Sequence, residues 1–228
     1  MAIVFFDFDG TLIRRDSGVI CAIPSIRRGL LGPRIGARLV GTYLLSKAGL
    51  RTRADAQRVG FECYAGRTLE ELRTIMQALH DEHLTRWLSQ PMRALVEAHR
   101  EAGDHLVILT ASAFFFAEPI GRALRVDEVI GTQVGFEGDI CTGRVEGDIF
   151  DGPQKLVAAR AYAAARGGDL GGCTFYSDHI ADLPLLEAVG TPVAVGPNRA
   201  LARVARERGW RIVQHAVQPD ASGAKLAP

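Results

Sequence analysis

The sequence predicts an α/β fold, a parallel sheet covered by helices on both faces and interrupted by a long helical insertion. Three observations carry that expectation. Short apolar runs recur at the start of the chain and, alternating with helical patterns, from about residue 92 onward; Asp or Thr stands where three of those runs end; and residues 16–89 contain no convincing strand. Strand and helix in alternation imply a parallel sheet, and such open sheets bind ligands beyond the carboxyl ends of their strands.

The first run, residues 2–8, is rich in β-branched and aromatic side chains and is stopped by Gly10, as a buried strand is. Further strands are expected at 106–109, 173–176, 192–195 and 211–213, with helices at 92–102, 115–124, 154–166, 183–189 and 200–208. Residues 16–89 read almost wholly as helix, with apolar residues at helical spacing over 69–79. That segment is too long for an ordinary crossover, so it is an inserted helical unit. A Gly-punctuated alternation at 134–145 predicts a short hairpin flap, and the polar, small-residue tail at 216–228 is expected to be disordered. The division that follows is a core of residues 1–15 and 90–215, an insertion of 16–89, and the tail.

With 228 residues and a net charge of +1, the chain has room for a core of normal size and no broad electrostatic reason to bind nucleic acid. Cys21, Cys63, Cys141 and Cys173 form no CxxC pair, which fits reduced, buried thiols and a cytoplasmic protein. Two acids before residue 10 predict no signal peptide, and no uncharged run reaches the roughly 18 residues of a membrane span. Residues 29–50 mix Leu, Ile, Val and Tyr with Arg34, Arg38 and Lys47. They fit a packed helix with a solvated basic face, or a basic amphipathic helix touching a membrane surface.

The chemistry sits in Phe5-Phe6-Asp7-Phe8-Asp9-Gly10-Thr11-Leu12. Side chains at i and i+2 share one face of a strand, so Asp7 and Asp9 project together at its carboxyl edge. Two like charges on an apolar strand cost free energy unless a metal or a protonation difference relieves them, and that cost points to a catalytic site. An Asp-Gly turn that merely ends a strand is the plainer alternative.

The full string resembles motif I of the haloacid dehalogenase (HAD) superfamily, and three later segments resemble its other motifs in order. Leu106-Val107-Ile108-Leu109-Thr110-Ala111-Ser112 matches motif II, Asp151-Gly152-Pro153-Gln154-Lys155-Leu156 matches motif III, and Phe175 to Pro184, with Asp178 and Asp182 four apart, matches motif IV. The resemblance implies a Rossmann-like core with a helical type 1 cap, as in the phosphoserine phosphatase-like subfamily, and a Mg2+-dependent phosphohydrolase with an aspartyl-phosphate intermediate. It assigns Asp7 as nucleophile, Asp9 as general acid and then base, Thr110 to a phosphoryl oxygen and Lys155 as the cation that offsets charge. Magnesium would be held by Asp7, the Asp9 carbonyl and Asp178, a hard oxygen set that suits it, with Asp182 orienting the site from behind. Taken singly, Thr110, Asp178 and Asp182 could each be a helix cap, and Lys155 a surface lysine.

The likeness departs from the subfamily at Thr110-Ala111-Ser112, where Ser-Gly-Gly is usual, and at Ala181, where Asn is common. Asp16 stands where those enzymes place an acid that reads a substrate ammonium, and Arg58 is a candidate clamp for a carboxylate or phosphate. The expected substrate is a small phosphorylated metabolite, with histidinol phosphate and phosphoserine as candidates. The alternatives are a lipid-phosphate phosphatase, a phosphotransferase, or a non-catalytic phosphate-binding protein that keeps the fold.

Overall fold

The computed structural model describes residues 1–29, 32–48, 50 and 52–215. The tail expected at 216–228 lies outside the described residues. Strands β1 (Ile3–Phe6), β2 (His105–Ala113), β3 (Glu128–Glu137), β4 (Ile140–Glu146), β5 (Thr174–Ser177), β6 (Thr191–Val195) and β7 (Arg211–Val213) form one sheet in the order β4-β3-β2-β1-β5-β6-β7. Neighbours are parallel except β3 and β4.

β1 lies in the middle, paired with β2 and β5. Both its faces are covered, which is why it reads as a continuous apolar run rather than an alternation. Val4 and Phe6 join one apolar cluster with Leu106 and Ile108, while Phe5 joins the other with Val107, Leu109 and Phe175. Helices α7 (Pro153–Ala165), α8 (Leu183–Ala188) and α9 (Arg199–Glu207) cover the Phe5 face through residues such as Ala159, Leu185 and Leu201.

The Phe6 face is covered by α5 (Gln90–Glu101), by α6 (Phe114–Leu124) and by the insertion, which runs through α1 (Ser17–Arg27), α2 (Pro33–Lys47), α3 (Arg53–Phe61) and α4 (Leu69–Leu79). Thr52 with Asp55, and Thr68 with Glu71, form capping boxes that start α3 and α4. Leu72, Met76 and Leu79 lie on one face of α4 and pack in the same cluster as Phe6, Phe8, Phe115 and Ile120. The insertion therefore shares its apolar core with the sheet.

Two elements differ from the sequence expectation. The hairpin expected at 134–145 is larger: β3 begins at Glu128, its first half pairs parallel with β2, and its second half turns back antiparallel with β4 at the sheet edge. Gly131 lies in that first half. Its role is close approach, since a Cβ there would stand 2.5 Å from Phe114 Cα. The second difference is α2, whose solvated face is not simply basic, for Val40 and Leu44 are 59% and 60% exposed on it. Leu30, Leu31 and Gly49 of that stretch lie outside the described residues.

Candidate active site

The carboxyl ends of β1, β2 and β5 meet at one cleft. Asp7 directly follows β1, and its N–H donates to the Tyr176 carbonyl at 2.9 Å, which continues the β1–β5 ladder and fixes where its side chain leaves the sheet. Thr110, inside β2, is almost fully buried at the cleft wall. Lys155 enters from the first turn of α7, behind a Pro153 that starts the helix.

Lys155 joins two elements of the site. Its Nζ donates to Asp7 Oδ1 at 2.6 Å and to Asp182 Oδ2 at 2.7 Å, and the three residues are 3%, 7% and 2% exposed. Burial opposes the lysine charge, yet the Asp182 and Asp7 carboxylates outweigh it and hold the ammonium above the usual lysine range. Burial pushes Asp7 up to about 6, against the opposing pull of Lys155. Asp182 stands at the start of α8 but makes no cap bond; its Oδ2 also accepts from Ser177 Oγ at 2.7 Å. In place of a cap bond, Asp182 accepts from the Lys155 ammonium and the Ser177 hydroxyl.

Asp9 is held differently. Oδ1 accepts from the Ser17 N–H at 2.6 Å and Oδ2 from Ser112 Oγ at 2.9 Å. Burial raises Asp9 to about 7, and the charge of Asp16 adds to the rise. A carboxyl that keeps its proton near neutral pH is suited to give one up to a leaving group. Ser112 thus gives the unusual Thr110-Ala111-Ser112 sequence a use: the Ser112 N–H bonds Thr110 Oγ1 at 3.1 Å while its hydroxyl steadies Asp9.

Asp178 comes against the same turn. Gly10 has φ +79, and a Cβ there would sit 2.2 Å from Asp178 Oδ2, so only glycine permits this approach. Among the described residues no three His, Cys, Asp or Glu side chains are grouped to hold a metal by themselves. Magnesium needs fewer protein side chains than that, because it is commonly bound through one or two carboxylates and keeps several waters. With both Asp9 oxygens engaged by serine donors, the oxygens that suit such an ion are those of Asp7, Asp178 and a backbone carbonyl.

Asp7, Asp9, Thr110, Lys155 and Asp182 all line the cleft. Asp16 precedes α1, accepts the Ile20 N–H on its carbonyl and lies close enough to Asp9 to raise it. Arg58 is exposed on α3 and does not line the cleft. Its neighbour Gln57 does, one helix position round, with a buried Oε1 that has no hydrogen-bond partner among the described residues. Sequence reasoning had no handle on Gln57, since only the packing of α3 over the sheet decides which residue of that turn faces inward. His179 also lines the cleft, its Nδ1 accepting from the Ala181 N–H at 3.1 Å.

The sequence profile of a family described as haloacid dehalogenase-like hydrolase matches residues 4–187. A Mycobacterium tuberculosis protein named phosphoserine phosphatase SerB1 is 33% identical over 225 residues, covering 92% of this chain and 70% of that one. A Neisseria meningitidis histidinol-phosphatase is 29% identical over 219 residues, covering 92% and 97%. The crystal structure of a Bordetella pertussis protein of unknown function superposes with a TM-score of 0.83 at 30% identity, covering 92% and 97%.

Proposed function

The chain belongs to the haloacid dehalogenase-like hydrolase family and is a phosphatase, and we propose that it hydrolyses small phosphomonoesters with Mg2+ through an aspartyl-phosphate on Asp7. The observation that carries this reading is the different setting of two neighbouring carboxylates. Asp7 is paired with a buried ammonium, while Asp9 is clasped by Ser17 and Ser112 and raised to about 7.

In the first half-reaction the Asp7 carboxylate attacks phosphorus and the bond from phosphorus to the ester oxygen breaks. Asp9 gives its proton to the departing alcohol. In the second, water attacks the phosphoryl group and Asp9 takes a proton from it, which regenerates both carboxyl groups and releases phosphate. Lys155 offsets the charge that gathers on Asp7 and the phosphoryl oxygens, and Thr110 offers a hydroxyl to one of those oxygens. Bound magnesium, held by Asp7, the Asp9 carbonyl and Asp178, would supply further charge neutralisation. Asp182 and Ser177 keep Lys155 aimed at Asp7.

Residues 16–89 act as the cap over this cleft, with Gln57 facing the space where the alcohol would extend. Phosphoserine and histidinol phosphate, the substrates in the names of two relatives, are both phosphate esters that carry an amine. The Asp16 carboxylate beside Asp9 supports a substrate of that kind. Free Cys63, Cys141 and Cys173 fit a reducing, cytoplasmic setting.

The deciding experiment is phosphate release from a panel of amine-bearing and amine-free phosphomonoesters, with magnesium or with excess chelator, for the natural protein and Asp7→Asn. Turnover that needs magnesium and disappears in Asp7→Asn is expected. Release that survives exhaustive chelation, or Asp7→Asn turnover near the natural rate, would overturn the mechanism.

A further inference from the structure

Every charged residue from 17 to 54 is Lys or Arg, although acids and bases are nearly balanced over the chain at 26 and 27. Among the described residues the same stretch holds most of the exposed large apolar side chains: Ile26, Val40, Leu44, Leu45 and Leu50 are each 41% exposed or more. On α2 the outward face is not wholly polar. Ala37, Val40 and Leu44, at i, i+3 and i+7, are exposed beside Arg34 and Arg38, while apolar Ile35 and Leu39 are only half-buried. A helix that only packs on a core turns its apolar stripe inward and keeps polar residues outside.

We propose that the outer face of α1 and α2 docks on the surface of an anionic lipid bilayer, with the α2 apolar residues at the acyl boundary and the arginines among the headgroup phosphates. Charge complementarity selects this occupant. A second copy placed by two-fold symmetry would set the same cationic segment against itself, and a neutral bilayer would leave the cations without counter-charge. Arg28 and Arg38 are engaged by Glu82 and Glu62 from outside the segment, while Arg27 and Arg34 are exposed on α1 and α2. Among the described residues no helix is long and apolar enough to cross a membrane, so the contact lies in the interface plane.

The docked face adjoins the active site. Leu39 of α2 packs over Gly60 of α3, Arg38 pairs with Glu62 just past α3, and α3 carries Gln57 into the cleft. A bilayer on α2 would therefore stand one helix away from the substrate.

The test is flotation of the full chain with vesicles of phosphatidylcholine alone or mixed with phosphatidylglycerol, read without any enzymatic assay. Binding to the anionic vesicles is expected, weaker by about tenfold or more on the neutral ones and weakened by about 1 M salt, where the Debye length falls to about 3 Å. Val40→Asp with Leu44→Asp, and separately Arg27→Glu with Arg34→Glu, should each reduce binding by about tenfold or more. Both pairs are exposed, so melting temperature and hydrolysis of a soluble ester should stay at the natural values. No binding to anionic vesicles, or equal binding to neutral ones, overturns the proposal. So does light scattering that shows a dimer dissociated by the Val40 and Leu44 changes, because the face would then be a contact between copies.

Discussion

His215 Nε2 donates to the Gly10 carbonyl at 2.8 Å, joining the end of the described chain to the turn that directly follows Asp7 and Asp9. The other ring nitrogen, Nδ1, lies 2.8 Å from Ser89 Oγ. A carbonyl can only accept, so Nε2 carries hydrogen, and Nδ1 of the neutral ring accepts from the serine hydroxyl. Burial holds His215 below the usual histidine range, which favours that neutral form. Ser89 stands at the cap position of α5 yet makes no cap bond, for its hydroxyl is committed to this histidine.

His215→Phe should remove both bonds and leave a buried serine hydroxyl unpaired, at a cost of about 1–3 kcal/mol. It should also lower kcat more than it raises KM, because the Gly10 turn positions Asp9 and Asp178 rather than substrate. His215→Gln, which keeps an N–H donor, should recover part of kcat. Denaturant melts and steady-state kinetics on the three proteins check this; a His215→Phe enzyme with unchanged kcat would refute it.

Lys155→Ala should be strongly destabilising as well as inactive. It strands Asp7 and Asp182 as buried carboxylates without their cation, and breaking a buried pair this way costs about 3–5 kcal/mol. Urea unfolding measures it, and a loss below about 1 kcal/mol would show that the buried triad matters for catalysis alone.

Asp9 makes stability depend on pH with a definite sign. Its folded value is about 7 against 3.8 for a free carboxyl, so between about pH 4 and 7 the folded state holds a proton that the unfolded state has lost. Stability from this group therefore falls as pH rises through that window. In chelator at pH 8, Asp9→Asn should be more stable than the natural protein by on the order of 1–3 kcal/mol, a gain that shrinks toward pH 5. A melting temperature for Asp9→Asn below the natural one at pH 8 would contradict the burial cost assigned to Asp9.

Asp16→Asn should act twice. Loss of its charge lowers the Asp9 pKa, so the alkaline limb of the kcat/KM profile should move to lower pH. If Asp16 also meets a substrate ammonium, kcat/KM for aminoalkyl phosphates should drop about ten- to a hundredfold, with little loss for amine-free esters. An unchanged ratio between the two ester classes would remove Asp16 from the substrate site while leaving the pH shift intact.

The sequence by itself determined most of the order of strands and helices, the helical character of residues 16–89 and the acids that follow β1 and β5, while β2 runs on past Thr110 to Ala113. Those follow from local periodicity, from glycine stops and from a motif string whose residues lie close along the chain. Packing decided the rest. Only the approach of α7 to β1 and α8 brings Lys155 to both Asp7 and Asp182, across separations of 148 and 27 residues. Only the rotation of α3 over the sheet turns Gln57 inward and Arg58 outward, and only the seating of α2 puts Val40 and Leu44 into solvent. An apolar residue at helical spacing carries no label for the side its neighbours will cover, and a hydrogen bond such as His215 to Gly10 spans 205 residues that the sequence alone leaves unconnected.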